Sequence, residues 1–260
     1  MTQSPIQYAN PNAQTHDVAK VPVNLAARKI GLMGKDKLRK WEENKGFSHV
    51  FEPPLTPIIT QGATYNQGRW HADVFKNQKP ITLELGCGKG EYTVGLGRMY
   101  PDRNFLGVDV KGHRFWRGAK TAVEEGLANV AFLRTRIEFI EAFFAPAEID
   151  EIWLTFSDPQ PKDEKGRRRL TSSFFIDKYK KFLRPAGIVH VKTDSTLLYE
   201  FTMDWLQAEG VQILMHSPNV YEQLWNSLDD EWRQILGIRT FYEQMFMAEG
   251  EKIKYIRFRP

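Results

Sequence analysis

From Ile81 onward the chain repeats one pattern: a short apolar run rich in strand formers, a turn, then apolar residues at helical spacing. No other feature constrains the fold as tightly. The pattern predicts strands at Ile81–Leu85, Phe105–Val110, Val130–Arg134, Glu151–Phe156, Ile188–Lys192 and Val211–His216, and a final strand pair within 240–258. Between them it predicts helices over Glu91–Tyr100, up to about Glu125, over Glu138–Phe144, over Ser173–Leu183 behind the N-cap types Thr171 and Ser172, and over Leu197–Glu209. Strands alternating with helices call for an α/β fold with a doubly wound, mostly parallel sheet. In such sheets ligands bind beyond the carboxyl ends of the strands, so function is sought in the loops that follow them.

Upstream of that domain, which is taken as 76–260, residues 33–75 suggest a short helix and a Pro-rich connection through Pro53, Pro54 and Pro57. Residues 1–32 are polar and aperiodic, as expected of a flexible extension. Apolar residues at 42% and charged residues at 26% are ordinary for a globular chain. No apolar run approaches the roughly 18 residues of a membrane-spanning helix, and the first residues lack a secretory pattern. Cys87 is the single cysteine, which excludes an internal disulfide framework and fits a reducing, cytoplasmic setting. The six histidines show no paired metal-ligand spacing, so no metal is expected. The net charge is only +4, but 160–184 carries nine Lys or Arg against three Asp or Glu. Such clustering suits an anionic partner on one face.

The first strand runs into Glu84-Leu85-Gly86-Cys87-Gly88-Lys89-Gly90. A glycine-rich turn here brings backbone close to a ligand. The dinucleotide fingerprint would need a further glycine where Glu91 stands, and a carboxylate there repels a pyrophosphate. A cationic, phosphate-free ligand such as S-adenosylmethionine fits better. Asp109 ends the second strand, placed to accept hydrogen bonds from ribose hydroxyls. Cys87 is read as a small residue filling the turn. The fourth strand ends in Phe156-Ser157-Asp158-Pro159-Gln160-Pro161-Lys162, followed by Arg167-Arg168-Arg169. A carboxylate on a rigid turn can accept from base N–H groups, and the cations beside it can hold phosphates.

With ELGCGKGEYTVGLG, FSDPQPKDEKGRRRLT, VHVKTD and TFYE, the chain from about Lys35 resembles the bacterial tRNA (guanine-N7-)-methyltransferases. The resemblance implies a Rossmann-like class I methyltransferase fold with a seven-stranded sheet and S-adenosyl-L-methionine as methyl donor. Its implied acceptor is N7 of a guanine in the tRNA variable loop, guanosine 46 in the family. It further implies a monomer or homodimer with tRNA as partner and no membrane. By the family's motif, Glu84, Gly86, Gly88, Gly90, Asp109 and Asp158 contact the cofactor, with Asp158 also catalytic. The third cofactor position falls on Arg136, where Asp or Asn is usual. Lys162, Arg167, Arg168, Asp194, Thr240, Phe241, Tyr242 and Glu243 are the implied substrate-binding positions. Ser157 and Gln160 depart from the usual F-P-D-P-W. The competing readings are a methyltransferase of this fold acting on another RNA or a small molecule, and a non-catalytic RNA-binding module.

Overall fold

The computed structural model describes residues 35–260, so the extension expected over 1–32 lies outside the described residues. Helix α1 (Lys35–Lys45), the two-residue strand β1 (Val50–Phe51) and helix α2 (Leu55–Gln61) come first. The repeating part follows as β2 (Ile81–Leu85), α3 (Glu91–Met99), β3 (Asn104–Asp109), α4 (Gly112–Glu124), β4 (Val130–Arg134) and β5 (Ile149–Thr155). It continues with α5 (Ser173–Phe182), β6 (Leu183–Thr193), α6 (Thr196–Ala208), β7 (Gln212–Ser217), α7 (Asp230–Leu236), α8 (Phe241–Ala248) and β8 (Lys254–Arg259). The sheet order is β1-β4-β3-β2-β5-β6-β8-β7, parallel except where β8 pairs with β6 and β7.

β2 and β3 are buried along their whole length, as parallel strands covered by helices on both faces must be. One face packs on Trp70, Phe143, Phe175, Tyr179 and Phe182; the other packs on Tyr92, Phe115, Phe132 and Trp153. His190, read from sequence as a packing residue, is 1% exposed, stacks on Trp153 and meets the Tyr255 hydroxyl at 2.7 Å. The chain leaves β2 toward β3 on one side, while β5 pairs on the other. The strand order therefore reverses at the carboxyl end of β2, and the crevice opens there.

Two expectations are corrected. The sheet has eight strands, because Val50 and Phe51 pair with Phe132 and Leu133 and extend the β4 edge. Two residues are too few to show an alternating pattern. The final strand pair within 240–258 is instead helix α8 followed by the single strand β8. Thr240 and Glu243 give the reason: the Thr240 hydroxyl accepts from the Glu243 backbone N–H at 3.0 Å, a T-x-x-E helix start. The Pro-rich stretch also holds α2, since Pro57 falls in the first turn, where no intrahelical N–H is needed.

Candidate functional site

The glycine turn after β2 folds as it does because Gly86, Gly88 and Gly90 take φ of +81°, +56° and +78°, a region that favours glycine. The N–H groups of Gly86 and Cys87 both donate to the Val108 carbonyl, at 2.8 and 3.0 Å, which ties the turn to the end of β3. Asp109 completes the tie, accepting from Gly88 N–H at 3.1 Å and from Lys111 N–H at 2.7 Å. Each of its oxygens keeps a lone pair for a ligand. A side chain at Gly90 would meet the Phe132 ring at 2.7 Å, so this glycine lets α3 pack closely on the sheet and lies beneath the site.

A cleft of about 770 Å³ opens above this turn, with Gly86, Asp109, Arg136, Asp158, Arg167 and Arg168 in its wall. That is ample for a cofactor-sized ligand. A second pocket of about 470 Å³ is lined by Gly86, Gly88, Asp158, Asp194, Thr240 and Tyr242, with the rings of Phe156 and Phe246. Asp158 stands in the wall of both. Its turn is held from three directions. Asp158 accepts from Gln160 N–H at 2.9 Å, and the buried Arg169 donates to the carbonyls of Pro159 and Gln160 at 3.0 and 3.1 Å. Phe156 N–H donates to the Lys192 carbonyl at 2.8 Å. Ser157 lines both cavities as well, and its buried hydroxyl finds no partner among the described residues.

Most of the other sequence-predicted residues lie outside the two cavities. Glu84 is 3% exposed and lines neither cavity. Its carboxylate accepts from Thr93 N–H at 2.8 Å, Thr93 Oγ1 at 2.5 Å and Thr155 Oγ1 at 2.6 Å, clamping α3 and β5 beneath the glycine turn. Burial pushes its pKa up to about 7, and the threonine hydrogen bonds hold it from going further. Glu243 is fully buried against Lys192 at 2.8 Å and accepts from Tyr221 at 2.5 Å, so it braces α8 from below. Lys162 is exposed ahead of the 3₁₀ turn Asp163–Arg168 and lines neither cavity. Phe241 is half exposed with the Lys89 ammonium 3.4 Å above its ring. The Arg136 side chain pairs with Glu138 at 3.0 Å.

Sequence reasoning missed Arg169 as a brace, having read it only as one of three cations. It also missed Phe246 and the buried Thr135, which line the pocket and the cleft. Only the i, i+4 spacing of Tyr242 and Phe246 on a helix would have pointed to Phe246. The sequence pattern instead predicts strand for that segment.

The Glu84 clamp gives a prediction. Protonated in the fold up to about pH 7 but only to about 4.5 when unfolded, Glu84 stabilises fully below about 4.5 and loses that contribution as pH rises to about 7. In urea unfolding, Glu84→Gln should therefore gain on the wild type by a few kcal/mol between those two pH values, whatever its constant offset. A difference independent of pH would contradict this.

The family described as "Putative methyltransferase" matches residues 78–256. A tRNA (guanine-N(7)-)-methyltransferase of Bacteroides thetaiotaomicron is 48% identical over 227 residues, covering 87% of this chain and 86% of that protein. The chain belongs to the tRNA (guanine-N7-)-methyltransferase family. The enzyme of the same name from Christiangramia forsetii is likewise 48% identical, over 86% of this chain and 98% of its own length. Among solved structures, the 16S rRNA methyltransferase KamB matches with a TM-score of 0.52 at 14% identity, over 74% of this chain and 93% of that one. At that identity it speaks for the class I methyltransferase fold alone. The positions that family resemblance assigns to Glu84 and Glu243 lie here under the site's surface, and those assigned to Asp109, Asp158, Asp194 and Tyr242 lie on it.

Proposed function

We propose that this protein transfers a methyl group from S-adenosyl-L-methionine to N7 of a guanine in the variable loop of tRNA. The observation that carries this reading is the meeting of two cavities at Asp158, one cofactor-sized and one both aromatic and acidic. The larger cleft suits the donor. Asp109 offers acceptors for ribose hydroxyls, Gly86 admits close approach, and the unpartnered Ser157 hydroxyl offers one more polar contact. When bound, S-adenosylmethionine supplies an electrophilic methyl on a sulfonium.

The smaller pocket suits guanine. Phe156, Tyr242 and Phe246 offer faces for stacking, while Asp194, away from the junction with the larger cleft, can accept from N1–H and the exocyclic amine. A base held by that edge leaves the opposite edge, with N7, free. Burial, the largest influence on it, raises the Asp194 pKa above the usual carboxylate range, in keeping with a carboxylate that waits for a donor partner. N7 carries a lone pair and no proton, so no general base is required. What remains is in-line placement and stabilisation of the positive charge that reaches the purine, for which Asp158 is positioned. Arg167 and Arg168, exposed at the rim of the larger cleft, hold backbone phosphates.

The test is transfer of labelled methyl from S-adenosylmethionine to an unmodified tRNA transcript. Label in the transcript supports the reading, with a rate that stays flat from neutral to mildly alkaline pH. A steep rise tracking one acidic group would contradict the absence of a general base. Donor binding with label only in a small molecule or a protein would move the reaction to another acceptor. Binding of tRNA without donor binding would leave a non-catalytic module.

A further inference from the structure

A third cavity, of about 380 Å³, adjoins the aromatic pocket and shares Gly88, Arg114 and Tyr242 with it. Its remaining wall is Lys40 from α1, Lys89 from the glycine turn, and His113, Trp116 and Arg117 from α4. These residues come from three distant stretches of chain, and their charge is of one sign. Asp36 and Glu43, the nearby acids of α1, are engaged by Arg39, Lys40 and the Trp116 indole N–H. Among the described residues Lys89, Arg114 and Arg117 enter no ion pair, while other pairs formed nearby leave them out. Burial first, and after it the charges of Lys37, Arg114, Lys111 and Lys40, hold the His113 imidazole below its usual range.

Local stability does not account for this grouping. His113 and Arg114 stand in the first turn of α4, where acids and not cations favour the helix dipole. Trp116 is half-buried and works as a platform, with Arg39, Lys40 and Lys120 at 4.8, 5.1 and 5.3 Å from its ring centre. Cations packed on an indole are held in place, so little freedom is lost when an anion arrives.

We infer that this cleft docks the sugar–phosphate backbone of the RNA flanking the methylated guanosine, as a second contact separate from the base pocket. The inference rests on the reading of the pocket as a guanine site in tRNA. A strand leaving that pocket past Tyr242 runs directly over the unpaired cations, and phosphates supply the complementary charge. The enzyme thereby grips a length of structured RNA, and a lone guanosine is a poor substitute.

The test uses the full chain carrying Lys40→Gln together with Arg117→Gln, neither of which lines the cofactor cleft or the guanine pocket. Binding of an unmodified tRNA transcript is measured by filter retention across a KCl series, beside calorimetric binding of S-adenosylmethionine and a thermal melt. The expected result is a slope of log affinity against log salt shallower by between about one and two, since Arg117 loses a whole phosphate contact and Lys40 one that it shares with Asp36. Cofactor affinity, melting and the rate at saturating tRNA should be unchanged, and KM for tRNA raised. Equal slopes for wild type and variant would overturn the docking cleft, and so would absence of tRNA binding by the wild type. A wild type that binds tRNA with the larger slope but transfers no methyl would sustain the cleft and sink the reaction.

Discussion

Replacing Lys192 by Met should lower the unfolding free energy by about 3–5 kcal/mol, because it strands the Glu243 carboxylate in the interior. Both side chains are fully buried, and the ammonium also donates to the carbonyls of Leu236 at 2.7 Å and Ile238 at 3.2 Å. Burial draws the Lys192 pKa down to about 8 even with Glu243 beside it, a mark of how much desolvation the pair has absorbed. One carboxylate and one ammonium thus join β6 to the segment before α8 and to α8 itself. Lys192→Met combined with Glu243→Met should cost far less than the sum of the single changes, since neither then leaves a lone charge. Urea unfolding of the four proteins checks this. A single change costing under about 1 kcal/mol would mean that water reaches the pair. Because α8 carries Tyr242 and is capped by Thr240, the surviving fraction of the single variants should bind tRNA more weakly.

Asp158→Ala should reduce kcat by about 10²–10³, the scale found when one preorganised group that stabilises transition-state charge is removed. The side chain is exposed and, among the described residues, its one hydrogen bond is the short loop from Gln160 N–H, so the fold should survive. Asp158→Asn keeps that acceptor and removes the charge. If the charge matters, Asn should fall nearly as far as Ala; if only the turn matters, Asn should retain most activity. Single-turnover rates at saturating donor and tRNA separate these outcomes from binding losses.

The strand positions were legible because parallel interior strands read as apolar runs, and Ile81–Leu85 and Val130–Arg134 match the expected bounds. The glycine turn and Asp109 were legible because left-handed backbone and a strand-end carboxylate leave local marks. What lay beneath the site did not. Glu84 and Glu243 carry the same letter as an exposed ligand, and only packing reveals that one meets two threonines and the other a buried lysine. Arg169 reads as one of three equal cations, yet it alone of the three is buried, while Arg167 stays exposed over the Phe174 ring. The basic cleft was unreadable for a related reason: Lys40, Lys89 and Arg117 are neighbours only after α1, the glycine turn and α4 are assembled.

The most direct measurement maps the modified atom. An unmodified tRNA transcript incubated with the protein and S-adenosylmethionine is treated with borohydride and aniline, which cleave the chain at 7-methylguanine. The account predicts one new cut, at a variable-loop guanosine, absent without the donor and nearly absent with Asp158→Ala. Methyl incorporation with no such cut, or cuts spread over many guanosines, would contradict it.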